Sequence, residues 1–268
     1  LYFTADDGMH GRELWRSDGT GQGTFMVKEI NNTQETKSSS PFFPTELDGL
    51  VYFNANDETH GDELWRSNGT EQGTFMVKDI TPGADSSYSS TLAEMNGLLY
   101  FTAGDDMQGW GLWRSDGTEQ GTFIVKEIRT GSDGSAPSSL TEVNGLLYFT
   151  ASDGTHGKEL WRSDGTEQGT FIVKDIWTGT DDSYPSSLTE VNGLLYFSAF
   201  DGIHGKELWR SDGTEQGTFM VKDINPGSDG SSPYTLTVVN GLLYFTADDG
   251  MHGRELWRSN GTEQGTFM

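Results

Sequence analysis

The chain is predicted to be all-β, a β-propeller built from four-stranded blades of about 48 residues. Three observations carry this. A block Glu-Leu-Trp-Arg-Ser-Asp/Asn-Gly-Thr recurs with its tryptophan at 15, 65, 113, 161, 209 and 257, spaced by 50 and then four times by 48. Each interval holds short runs rich in Leu, Tyr, Phe, Thr, Val and Trp, separated by Gly-bearing turn signals. No window is apolar at helical spacing over ten residues or more. A unit this small cannot bury both faces of its own sheet, so it must stack on copies of itself. Its length and strand count fit a propeller blade better than a β-helix coil.

The unit Ser138–Pro185 shows the elements in order. A first strand is expected over Ser139–Val143. Asn144-Gly145 then gives a tight hairpin signal into Leu146–Ala151. Asp153-Gly154 and Gly157 mark a loop before the third strand, Glu159–Ser163. Asp164-Gly165 and Gly169 mark the turn into the fourth, Thr170–Ile176. Residues 243–268 repeat residues 1–26 almost letter for letter, so there are six copies of the central hairpin but five of the connecting segment. Six blades are therefore expected. The sixth would be completed by a first strand lying beyond Met268, joining distant parts of the chain and removing a free edge. A longer or open repeat array is the alternative. The domain expectation is one repeat domain over 1–268: a partial blade at 1–30, full repeats at about 42–89, 90–137, 138–185 and 186–233, and a partial blade at 234–268. Leu1 opens inside an apolar run, so the chain reads as a piece of something longer.

Composition excludes several classes. With 17 basic and 41 acidic residues the net charge is −24, which repels nucleic acid. Aromatic residues at 12%, recurring at fixed places, argue against disorder. Apolar runs of about four residues are too short for a transmembrane helix. Cysteine is absent, so there is no disulfide or thiolate zinc site.

ELWRSDGTEQGT, with LYFTADDGMHG before it and VKDINPGSDGSSP after it, resembles the ELWxxDGT repeat of large secreted or surface proteins, mostly bacterial. The resemblance covers essentially the whole chain. It implies a propeller-like repeat in an extracellular or cell-surface setting, and it implies no reaction. The third unit departs, with Gln108-Gly109-Trp110-Gly111 where most others have His-Gly-Lys/Arg-Glu.

The recurring residues invite paired readings. Trp15, Trp65, Trp113, Trp161, Trp209 and Trp257 are either packing residues between blades or sugar-stacking platforms. Asp18, Asp116, Asp164 and Asp212 alternate with Asn68 and Asn260 before Gly-Thr, which suits an Asx-turn and not a catalytic carboxylate. The Arg after each Trp and the Lys before Asp/Glu (Lys28, Lys78, Lys126, Lys174, Lys222) are expected to form cross-strand or inter-blade salt bridges. With alternating strands, the second-to-third loops and the connectors share one face. There Asp7, Asp57, Asp105, Asp153, Asp201 and Asp249, with Asp85, Asp133, Asp181 and Asp229 from the connectors, are candidate calcium ligands, although no EF-hand or RTX spacing is present. Ordinary polar turns are the alternative. His10, His60, His156, His204 and His252, one per unit, suit a structural hydrogen bond in that loop.

The functional expectation is a non-catalytic structural or adhesive module that contacts other protein domains or a cell surface, with no nucleic acid and no membrane insertion in this segment. It could belong to a larger oligomeric or filamentous assembly. A lectin-like multivalent binder of surface glycans, with one weak site per blade, is the alternative. No blade offers a Ser/His/Asp set or a carboxylate pair that its neighbours lack, so no enzyme is expected.

Overall fold

The computed structural model describes residues 1–32, 37–105, 109–131 and 134–268. Among them are 22 strands in six antiparallel sheets and no helix. The expected single domain divides by its contacts into two compact units, Leu1–Gly134 and Ser135–Met268, close to an expected repeat boundary.

Unit 1 contains three sheets. The first has β1 (Tyr2–Asp6), β2 (Arg12–Arg16) and β3 (Phe25–Lys28). The second has β4 (Phe42–Leu47), β5 (Leu50–Asn56), β6 (Asp62–Ser67) and β7 (Phe75–Lys78). The third has β8 (Ser90–Met95), β9 (Leu98–Asp105), β10 (Gly109–Ser115) and β11 (Phe123–Lys126). Unit 2 repeats the plan. Its first sheet has β12 (Ser138–Val143), β13 (Leu146–Ser152), β14 (Lys158–Ser163) and β15 (Phe171–Lys174). The next has β16 (Ser186–Val191), β17 (Leu194–Phe200), β18 (Lys206–Ser211) and β19 (Phe219–Lys222). The last has β20 (Tyr234–Val239), β21 (Leu242–Asp248) and β22 (Arg254–Ser259), with an isolated antiparallel bridge between Arg258 and Phe267.

The turns follow from their residues. Asn144 and Gly145 both adopt positive φ (53° and 76°), as a two-residue hairpin turn of the primed type requires. Gly145 N–H donates to Glu142 Oε1 at 2.5 Å and closes the turn. Between the third and fourth strands, Asp164 Oδ1 accepts Thr166 N–H (2.9 Å) and Thr166 Oγ1–H (2.7 Å), and Gly169 N–H donates to Thr166 Oγ1 at 3.0 Å. Asn68 Oδ1 makes the same bonds to Thr70, which explains the free exchange of Asp and Asn. A Cβ at Gly169 would lie 2.0 Å from Asp164 Oδ1, so the turn excludes any side chain there. The fourth strand ends at Lys174, earlier than the sequence suggests, because Ile176 N–H turns away to the Glu159 carboxylate. A bulge between Leu160 and Trp161, opposite β15, recurs in every such pair of β3, β7, β11 and β19.

Strand alternation gives each sheet two apolar faces. In unit 2, Val143, Tyr148, Leu160, Val173 and Ile176 of one sheet pack on Leu195, Phe197, Ala199 and Trp209 of the next. The same residues one repeat on, Val191, Tyr196, Leu208, Val221 and Ile224, pack on Leu243, Phe245, Ala247 and Trp257. In unit 1 the second sheet meets the third through Leu47, Tyr52, Leu64, Val77 and Ile80 against Leu99, Phe101, Ala103 and Trp113. A buried Trp removes about 150–250 Å² from water, roughly 4–6 kcal/mol as an upper bound. The face pattern stops at the last sheet. Leu256 is 62% exposed where Leu208 is fully buried.

Candidate functional site at the loop and connector end

One end of each four-stranded sheet carries the loop between its second and third strands and the connector that leaves its fourth, and the matching loops of the first and last sheets join β1 to β2 and β21 to β22. In the loop, Asp153 Oδ1 accepts the backbone N–H groups of Thr155 (2.8 Å) and His156 (2.9 Å), and its Oδ2 meets His156 Nδ1 at 2.7 Å. Asp7–His10, Asp57–His60, Asp201–His204 and Asp249–His252 repeat the pair at 2.6–2.8 Å. The bond to its aspartate holds each imidazole above its ordinary value. Asp7 is drawn down to about 2, chiefly by the His10 backbone N–H. Burial pushes Asp153 up, but the bonds from His156 and Thr155 outweigh it and bring it to about 2.

The candidate calcium ligands are therefore engaged by their own loops at Asp7, Asp57, Asp153, Asp201 and Asp249. Among the described residues no group of three or more His, Asp or Glu side chains converges as a metal site. Asp85, Asp181 and Asp229 stand in connectors, and the Asp85 and Asp181 carbonyls lie against Gly61 and Gly157 of the adjacent loop. Asp133, the Asp105 side chain and Gln108 lie outside the described residues.

The glutamate of the recurring block has a role the sequence reading missed. Glu159 is fully buried, yet its carboxylate takes Ile176 N–H (3.0 Å), Ser183 N–H (3.1 Å) and Ser183 Oγ–H (2.5 Å). Ser183 O then accepts Phe200 N–H of the next sheet at 2.8 Å, so the connector laces two sheets through one serine. Glu63 holds Ile80, Thr81 and Ser87 in the same way, and Glu207 holds Ile224, Asn225 and Ser231. In the first sheet Glu13 takes Ile30 and Ser39. Burial raises all four carboxyls, Glu63 and Glu159 to about 7. The signal was present in the sequence as a charged residue two positions before the recurring Trp, followed in four units by a connector serine at a fixed spacing, Ser39, Ser87, Ser183 and Ser231.

Trp65, Trp113, Trp209 and Trp257 pack between neighbouring sheets. Trp65, Trp113, Trp161, Trp209 and Trp257 are only 6–7% exposed, and Trp15 on the first sheet is half-buried. A ring covered to that degree offers no open face for a sugar. All six indole N–H groups are buried without a hydrogen bond. The expected salt bridges of the basic registers give way to other partners. Lys28 Nζ donates to Thr74 O, and Lys78, Lys174 and Lys222 donate to the carbonyls of Thr122, Thr218 and Thr266, all at 2.9 Å and all in the next sheet. Arg16 and Arg210 reach the Gly69 and Gly261 carbonyls of the next turn. Their guanidinium groups also lie over Phe25 and Phe219. In each of these cases the acceptor is a turn carbonyl of the next repeat, not a carboxylate.

Clefts open at this end where one connector meets the loop of the next sheet. In unit 1 a cleft of about 670 Å³ is bordered by Asn31, Ser40, Asn56, Glu58 and Asp62, with Lys37 paired to Glu58. In unit 2 the cleft at the same register, about 420 Å³, is bordered by Asn225, Asp229, Asp248 and Arg254.

No protein-family model matches the chain, and no curated protein matches it. Solved structures do match in form. The computationally designed Ika8 protein gives a TM-score of 0.51 at 13% identity, over 100% of this chain and 70% of that one. Puromycin hydrolase gives 0.54 at 15% identity, over 97% of this chain and 42% of that one. A structure from a study of two prolyl endopeptidases gives 0.57 at 12% identity, over 99% and 39%. The chain thus spans about two fifths of the length of these peptidases. At such identity the likeness is one of fold alone.

Proposed function

We propose that this chain is an extracellular, non-catalytic module of the ELWxxDGT-repeat kind that makes protein–protein or cell-surface contacts, its sheets acting as blades of a β-propeller. One observation supports it most. The recurring Glu, Asp, His, Lys and Arg side chains are bonded to the turns, connectors and neighbouring sheets, while the Trp rings fill the joints. What repeats outward is therefore a set of near-identical surfaces, which suits many weak contacts made together. The bare face carrying Leu256 is half of the joint seen between neighbouring sheets, and ring closure or a further repeat would cover it. Beads coated with the protein at increasing density test the reading. Adhesion to cells should rise steeply with density and survive alteration of any one unit's loop. Complete loss from a change in one unit, with the protein still folded, refutes it.

The second reading is a lectin with one weak site per unit. The recurrence of a polar cleft at the same register in both units favours it. Glycan-array binding that follows Asn225 and Asn31, and not the buried Trp series, would support it.

A further inference from the structure

One cleft in unit 2 differs from its counterparts. It lies between the connector after β15 and the loop joining β17 to β18, and holds about 350 Å³. Trp177, Tyr184, Phe200 and Gly202 line it. Two of these residues break a close repeat at adjoining points. The register of Trp177 holds Asn31, Thr81, Arg129 and Asn225 in the other units. The register of Phe200 holds Asp6, Asn56, Gly104, Ser152 and Asp248. The same cleft is thus polar where Asn225 meets Asp248 and aromatic where Trp177 meets Phe200.

The surroundings favour a cation. The neighbouring Asp182 carboxylate holds the Tyr184 phenol above its ordinary value, Asp201 adjoins Gly202, and the whole chain carries −24. Aromatic faces attract cations through the ring quadrupole, most strongly where water is displaced. Phe200 already shows this, because Lys206 Nζ stands 5.6 Å from its ring centre while donating to Ser186 Oγ at 2.8 Å. Lys206 and His204, the latter paired with Asp201, are the nearby basic groups, and both are tied to protein partners. The Trp177 indole lies so close over Gly202 that a Cβ there would come within 2.6 Å of Nε1. Only glycine at 202 lets the indole come that close, so the Trp177 ring is held in place by the loop below it. An anionic group would be repelled by a chain of net −24, and a neutral sugar would find few hydrogen-bonding groups among the rings.

We propose that this cleft binds a choline-type alcohol through its trimethylammonium head, with Trp177, Tyr184 and Phe200 as the aromatic walls. Calorimetry on the 1–268 protein with choline chloride tests it, beside the neutral analogue in which a tert-butyl group replaces trimethylammonium. Methyl glucoside serves as a third probe. Saturable choline binding is expected, at least about tenfold tighter than the neutral analogue. Trp177→Asn and Phe200→Ser should each weaken it about tenfold or more. Both changes restore a residue that other units carry at that register, so the fold is expected to survive, and circular dichroism verifies this. Equal binding of the neutral analogue, Trp177-dependent binding of the glucoside in place of choline, or no saturable choline binding would each overturn the proposal.

Discussion

Burying a carboxyl group in four of the sheets, at Glu13, Glu63, Glu159 and Glu207, should make the protein weaken as pH rises through neutrality. Glu159 titrates near 4.5 in an unfolded chain and at about 7 in the fold, because burial disfavours its charged form. A raised carboxyl pKa means that the folded state binds the proton more tightly. Its contribution is fully present below the unfolded value and is lost as pH climbs through the folded one. For Glu159 the difference amounts to about 3 kcal/mol, an order-of-magnitude figure, and Glu63 should contribute a similar amount. The His–Asp pairs slope the same way, since each imidazole is raised by its aspartate. Charge repulsion in a chain of net −24 adds to the trend. The perturbation that separates these terms is Glu159→Gln, which keeps the shape and removes the titration. Urea unfolding followed by tryptophan fluorescence at about pH 5 and about pH 8 should show wild type losing more stability than the variant, by about 2–3 kcal/mol. Parallel pH profiles for the two proteins would refute the reasoning.

Further outcomes follow from the same geometry. Trp209→Ala removes the largest side chain of one sheet joint and should cost about 3–5 kcal/mol in urea unfolding, and a loss under about 1 kcal/mol would contradict its packing role. Asp164→Asn should change stability by less than about 0.5 kcal/mol, because Asn68 makes the same turn bonds, whereas Asp164→Ala should cost about 1–2 kcal/mol; paired thermal melts check this. Asp153→Asn should lower the His156 titration towards its ordinary value, read by proton NMR, and an unmoved midpoint would remove the pair as its cause. Millimolar calcium or a chelator should leave the melting temperature unchanged, since the loop aspartates already accept backbone and imidazole donors.

Much of this arrangement could be read from the residues, and what could not has physical causes. Asn144-Gly145 announced its turn because few pairs tolerate two positive φ values. The strands and their two faces followed from alternation, as in Leu146 to Ala151. Glu159 stayed obscure because its partners, Ile176 and Ser183, come from a connector whose path no local pattern encodes. Lys174 was assigned a carboxylate partner on charge, yet geometry gives it the Thr218 carbonyl. The aromatic cleft was missed for another reason. Trp177 and Phe200 are far apart in sequence, and only the stacking of two sheets places them together.

The lysine and arginine contacts have a consequence for how such a chain can change. Each reaches a main-chain oxygen of the following turn, and main-chain oxygens are the same whatever residues surround them. A segment of one period could be gained or lost in phase, and every surviving neighbour would still find an acceptor waiting. Slippage during gene copying would then alter the number of repeats without a compensating substitution, and length itself becomes a trait that drift can adjust.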